Sequence, residues 1–311
     1  MNELPANLRH RLILIRDLQR FGVDDRGVRR ERASGKLTRV RRGCYMETDR
    51  WKELSHVERH LVRAHAVAAN ASIEPVFTHL TAAAFHGIPV IGALPATVHV
   101  TVEPGMTRRN QVDLVTHSLP LARDEVVRVD GVLASSVERT LVDLALTTTF
   151  QSAVASMDWA LARGVERDAL YAELERINPT KRMRAAEAVI DFADAASGSP
   201  GESLSRAAMH LLGCAAPQIQ VPIRDQRGAI GTVDFYWPEI RLIGEFDGAA
   251  KYLRHEYLQE KSTGEVVYIE KVREDRMRAT GRGFFRWGWA EASDLEQFAR
   301  VLRSAGVPGL A

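Results

Sequence analysis

The alternation of apolar and polar positions divides the chain into three stretches. In residues 1–52, Leu8, Leu12, Ile15 and Leu18 recur at helical spacing until Gly22 stops the run. Asp24 or Asp25 can cap a second helix that continues through Arg32. Ser34-Gly35 then turns the chain. Residues 36–40 read as a strand, Arg41-Arg42-Gly43 as a tight turn and residues 44–46 as a return strand. Helices followed by a hairpin predict a small winged helix.

Residues 53–195 read as a mixed α/β domain. Val57, Leu61, Ala64 and Ala68 form one helical stripe, and "PVFTHLTAAAFHGIPV" is a second helix ended by Gly87 and Pro89. "ATVHVTV" and "VDLVTHSL" alternate like strands. Ser135 or Ser136 caps a helix that carries Val137, Leu141, Leu144 and Ala145 inward, and further helices follow. The small-residue segment "DAASGSPGES" marks a boundary, and residues 199–311 form the third domain. Its helix "GESLSRAAMHLLG" precedes strands in "IQVPIRD", "GTVDFYW" and "IRLIGEFDG", a polar helix, a last strand "GFFRWGW" and a closing helix.

Composition narrows the class. With 45% hydrophobic and 26% charged residues the chain is expected to fold. The apolar run Leu12-Ile13-Leu14-Ile15 is too short for a signal segment or a membrane span. Cys44 and Cys214 stand far apart with no Cys-x-x-Cys, which argues against a disulfide framework and a thiolate zinc site. These features predict a soluble cytoplasmic protein with no membrane partner.

The net charge of +2 says little, but its distribution is uneven. Arg26, Arg29, Arg30, Arg32, Lys36, Arg39, Arg41 and Arg42 are opposed only by Glu31 between residues 26 and 42. Cations at this density on a helix and hairpin predict phosphate contacts with double-stranded DNA, each releasing a counterion. A solvated basic face is the plainer alternative. The second stretch is rich in histidine, and His56 and His60, four apart, would share a helix face. A metal pair is conceivable there, but no third ligand is obvious.

The acids of the third stretch carry the sharper expectation. Strands on either side of Trp237-Pro238-Glu239 form a hairpin that could bring Asp234 opposite Glu245, and Glu245 and Asp247, two apart, face one side. Oxygens of Asp234, Glu245 and Asp247 would make a hard-cation site for Mg²⁺ or Mn²⁺, with Glu202 as a further carboxylate. Such a site suits phosphodiester hydrolysis, where the metal activates water and a nearby lysine adds positive charge. The plainer alternative is structural. Asp234 would cap a turn, Glu245 would pair with Arg273 or Arg276, and Asp247-Gly248 would turn the chain.

The third stretch resembles the PD-(D/E)xK nuclease superfamily, and within it the modules akin to very-short-patch-repair enzymes. The carriers are Glu202 on a helix, Asp234 opening a strand, Glu245-Phe246-Asp247 on the next, and Arg286 on the last strand. The resemblance implies a restriction-endonuclease-like α/β/α domain and a Mg²⁺-dependent endonuclease. Asp247 stands where the family usually has lysine, so Lys251 or Lys271 would take that role. Residues 1–195 resemble the AbiEi antitoxins of type IV toxin–antitoxin systems, through "GKLTRVRRGCYM", "THLTAAAFHGIPV" and "SSVERTLVDLA". That resemblance implies a transcriptional regulator bound to operator DNA, with a cognate toxin protein as partner. The nuclease fold would then be either active or an inert scaffold.

Overall fold

The computed structural model describes residues 12–20, 25–102, 113–118, 120–248 and 263–310. The chain is mixed α/β, with three sheets among the described residues. No described helix is long and apolar enough to cross a membrane. The elements begin with β1 (Ile13–Leu14), α1 (Ile15–Arg20), α2 (Asp25–Ala33), β2 (Leu37–Arg41), β3 (Cys44–Glu47), α3 (Thr48–Glu53) and α4 (His56–Asn70). Then come β4 (Val76–Phe77), α5 (His79–His86), β5 (Val98–Thr101), β6 (Leu114–His117), β7 (Val126–Val129), β8 (Val132–Ser135) and α6 (Val137–Thr147). Helices α7 (Phe150–Leu161), α8 (Arg167–Ile177), α9 (Met183–Phe192) and α10 (Pro200–Leu211) lead into β9 (Gln218–Asp225), β10 (Gly228–Trp237) and β11 (Leu242–Phe246). The chain closes with α11 (Thr263–Ala279), β12 (Gly283–Trp287), α12 (Trp289–Ala292) and α13 (Leu295–Ser304).

These elements form two compact units, Met1–Thr147 with Asp168–Met183, and Thr148–Arg167 with Arg184–Ala311. In the first unit the expected helix through Leu12 starts only at Ile15. Ile13 and Leu14 instead pair with Tyr45 and Cys44, giving the sheet order β1-β3-β2. A hairpin of β2 and β3 alone would leave an open edge of backbone donors and acceptors, and β1 closes it. Leu8, Gly22 and Asp24 lie outside the described residues. The hairpin turn is the two residues Arg42-Gly43, with Gly43 at φ +77°, the left-handed conformation that such turns require.

The core of this unit does not stop at residue 52. Met46 and Leu54 pack in one cluster with Leu61, Phe77, Phe85, Val98 and Val132, and Leu12 and Val40 lie against it. A second sheet, in the order β6-β5-β4-β8-β7, supplies much of that cluster.

In the second unit α7 and α10 are tied by a buried ion pair. Asp158, 1% exposed, accepts both 2.9 Å bonds from Arg206 and a 2.7 Å bond from the Asp194 amide. The sheet runs β12-β11-β10-β9, antiparallel except for the β11–β12 pair, which α11 joins as a crossover. Ile223, Val233, Ile243, Met277 and Phe284 fill the α11 side. On the α10 side the Trp287 indole donates to Ser205 Oγ at 2.8 Å and packs at a tilt against Phe235 and Phe298. Gly201 of α10 lies so close to the Phe246 ring that a Cβ there would overlap it.

Candidate functional site

The β10–β11 hairpin puts Trp237, Tyr236 and Phe235 across from Leu242, Ile243 and Gly244. Counting on by one would pair Asp234 with Glu245, but the ladder ends at Phe235. Asp234 Oδ2 instead accepts the Phe246 amide at 2.9 Å, and Oδ1 accepts from Gln220 Nε2 at 3.3 Å. Gln220 sits at φ +51°, a strained position for a residue with a Cβ, on the order of 1 kcal/mol or more. The same amide nitrogen donates to Glu202 Oε2 at 2.7 Å. Glu202, 4% exposed in the first turn of α10, also accepts from the Gly198 amide at 2.9 Å and from Ser199 Oγ at 2.8 Å. Glu202 and Asp234 therefore meet on one side-chain amide.

Glu245 takes a different set of partners. It lies two residues from Ile243, 8% exposed, and its carboxylate receives Arg273 at 2.5 and 3.3 Å and Arg286 at 3.2 Å. Arg273 also meets Glu270 at 2.6 Å and the Thr232 carbonyl at 2.8 Å, and Arg286 meets Glu270 at 2.7 Å. Burial raises the Glu245 carboxyl above its ordinary range, and the two guanidiniums oppose that shift. Arg276 is engaged elsewhere, on Asp225 at 2.8 and 3.0 Å.

Asp247 follows β11, half-buried, with its amide on the Trp287 carbonyl at 2.7 Å. Lys271 is exposed. It stands two residues from Arg273, about 200° around the helix, so it projects away from Glu245. Lys251 lies outside the described residues. The cation that meets Glu245 is thus an arginine, which cannot give up its proton as a lysine can. Gln220 gave no signal in the sequence, since nothing local distinguishes a glutamine on a strand that bridges two acids.

Among the described residues, the acids Asp234, Glu245 and Glu202 do not form a close set of three ligand atoms. Mg²⁺ takes one or two carboxylates and keeps several waters, but each oxygen of Asp234 and Glu202 already accepts a hydrogen bond, so an ion held by this pair would take the place of the Gln220 amide between them. Glu245 fits less well, because arginine already neutralises it.

The basic residues of the first unit mostly face solvent. Val28 turns inward from α2, while Arg29, Arg30 and Arg32 are exposed. Lys36 is exposed beside Glu31 at 3.4 Å, and Arg39 on β2 and Arg42 in the turn are exposed. Arg41 differs, being half-buried and 3.4 Å from Asp113. The His56–His60 pair does not assemble. His56 is exposed, whereas buried His60 has Nδ1 on the Pro95 carbonyl and Nε2 on Thr81 Oγ1, both at 2.9 Å. A carbonyl only accepts, so Nδ1 carries the proton and Nε2 accepts from the threonine.

No family model matches the chain. It is 31% identical over 233 residues to the uncharacterized protein Rv2248 of Mycobacterium tuberculosis strain H37Rv, covering 71% of this chain and 79% of that one. The uncharacterized protein MT2308 of strain CDC 1551 matches to the same extent. The chain belongs to the family of these mycobacterial proteins. Among solved structures, the RV2827C protein from Mycobacterium tuberculosis aligns with a TM-score of 0.41 and 16% identity, over 64% of this chain and 76% of that one.

Proposed function

We propose that the chain is a DNA-binding protein whose second unit is a Mg²⁺-dependent DNA endonuclease, acting in a defence or toxin–antitoxin setting. In this reading residues 1–52 are a winged helix, 53–195 an AbiEi-like α/β domain and 199–311 a restriction-endonuclease-like domain. The observation that carries it is the meeting of Glu202 and Asp234 on Gln220, where the β10–β11 ladder opens. Asp234 and Glu202 would hold the ion. Bound there, Mg²⁺ lowers the pKa of water and neutralises charge on the phosphate oxygens.

The chain's own groups would do the rest. Arg273 and Arg286, paired here with Glu245 and Glu270, would meet a phosphodiester by giving up part of those pairings. Asp247, half-exposed just after β11, is a carboxylate able to accept a proton from the attacking water. The exposed Arg29, Arg30, Arg32, Lys36, Arg39 and Arg42 would bind the duplex backbone. The test is plasmid nicking by wild type, Asp234→Ala and Glu202→Gln in Mg²⁺ or Mn²⁺. Nicking that survives undiminished in both variants overturns the reading.

A second reading is favoured by the Glu245–Arg273–Arg286 network, which balances its charge without a metal. There the chain is an AbiEi-like repressor or antitoxin with an inert nuclease fold, a cognate toxin as partner, and salt-dependent binding near its own promoter. It predicts no cleavage in any metal.

A further inference from the structure

We propose that His79, His99 and His117 form a site for a divalent transition-metal ion of the Zn²⁺ class. The three come from separate elements of the first unit. His79 opens α5 at φ +53°, His99 lies on β5, and His117 ends β6. Strands β5 and β6 are parallel, with His99 across from Val115 and Thr101 across from His117. The two histidines are thus diagonal neighbours on one sheet face.

One ring nitrogen from each of the three lies within 4.8 Å of the others. Ligands bound about 2.0–2.1 Å from a tetrahedral zinc stand ~3.3 Å apart. His117 Nε2 and His99 Nδ1 are already 3.1 Å apart. The His79 and His117 rings stack at 3.7 Å. Binding turns His79 out of that stack, because two ligands must aim their lone pairs at one centre.

The chemistry of the cluster agrees with its geometry. Burial pushes His79 down to about 2 and His99 to about 4, helped by the neighbouring rings, and burial lowers His117 as well. Neutral imidazole is the form that ligates, and the proton shared between His117 Nε2 and His99 Nδ1 moves to another ring nitrogen when both bind the ion. Behind His79 stands Asp143, 2% exposed, with Oδ2 3.6 Å from His79 Nδ1. That oxygen has no hydrogen-bond partner among the described residues, while Oδ1 is held by Arg139 at 3.1 Å. His79 Nδ1 contacts Thr78 Oγ1 at 3.1 Å here, and turning the ring out of its stack would bring Nδ1 onto the carboxylate, which then fixes the tautomer of the bound imidazole and raises its basicity. His60, by contrast, has both nitrogens satisfied and takes no part. Imidazole sets suit Zn²⁺, Cu²⁺, Ni²⁺ or Fe²⁺ rather than Mg²⁺, and three leave a fourth position open.

The test uses the full-length, untagged chain, stripped with chelator and titrated with Zn²⁺ by calorimetry and with Co²⁺ by visible absorption. The expected result is one Zn²⁺ per chain in excess Mg²⁺ and the intense absorption of four-coordinate Co²⁺. His117→Gln and His99→Ala should weaken Zn²⁺ binding by more than about 100-fold, and Asp143→Asn by about 10–100-fold. Circular dichroism establishes that each variant is folded. If one is not, the half-buried His117→Gln variant and the wild-type Co²⁺ spectrum decide. Absence of stoichiometric Zn²⁺ or of the Co²⁺ spectrum in wild type overturns the proposal, as does wild-type affinity in folded His117→Gln.

Discussion

Arg273 reaches from α11 to place both terminal nitrogens on Glu245, at 2.5 and 3.3 Å, under the edge of β11. The pair lies largely out of water, where separating two charges costs more than it does at a surface. Arg273→Ala should destabilise the second unit by roughly 1.5–3 kcal/mol, because it strips one of two arginine partners from a buried carboxylate. Glu245→Gln should cost less, since the amide carries no charge to desolvate. Urea denaturation of the two variants checks the order, and equal losses would contradict it.

Asp234 and Glu202 predict a different pattern. If they hold a metal, Asp234→Asn and Glu202→Gln should lower plasmid nicking by at least ~100-fold while moving the urea midpoint little. Loss of activity in step with loss of stability would point instead to a purely structural role for the Gln220 bridge.

In the DNA-binding reading, the basic residues of the β2–β3 hairpin are separable by salt. Arg39→Ala and Arg42→Ala, both exposed, should each reduce the slope of log K against log salt by about 0.9. Arg41→Ala should change the slope less, because Asp113 already stands 3.4 Å from its guanidinium. Fluorescence anisotropy on a labelled duplex measures all three. Unchanged slopes in the Arg39 and Arg42 variants would remove the hairpin from the DNA interface.

Acid should loosen the first unit. His60, His79, His86, His99 and His117 are all held below the ordinary histidine range, chiefly by burial. Their folded values lie under the unfolded one, so the unfolded chain takes up protons that the folded chain refuses. Stability from these groups is complete above about pH 6.5 and falls as the pH drops toward about 4 for His99 and about 2 for His79. Each can contribute up to about 1.4 kcal/mol per pH unit in that window. Asp143 and Glu173, raised to about 6 and about 7, act the opposite way, but two carboxylates are outnumbered by five imidazoles. Hydrogen exchange of β5 amides should therefore quicken from pH 7 to pH 5.5 after correction for intrinsic rates, and His99→Asn should flatten the trend.

What was legible in the chain is what is local. The Trp237-Pro238-Glu239 turn, the Arg42-Gly43 hairpin and the Ser136 cap of α6 each depend on residues a few positions apart, so their types declare them. Ile13 and Leu14 read as helix because their partners, Tyr45 and Cys44, lie thirty or more residues on. Asp234 and Glu245 were visible as acids among apolar residues, and of the two partners the chain offered Glu245, Arg273 is the one that pairs; the Gln220 bridge of Asp234 was not visible, so neither was the division between the two acids. That division follows from where the ladder stops, which no spacing encodes. The histidine triad escaped for the same reason, since His79, His99 and His117 share no period and meet only when β5 and β6 pair.

Gly201 gives the second unit a mechanical consequence. A Cβ at Gly201 would overlap the Phe246 ring, so the helix end is seated by contact with the strand as well as by its own cap. Gly201→Ala adds no charge and removes no functional group, yet it should lever the end of the helix outward and carry Glu202 off Gln220. Overpacking of this kind costs typically 1–3 kcal/mol. In the nuclease reading nicking should then fail with every acid still in place, which makes a single methyl group a gauge of how finely the two carboxylates are spaced.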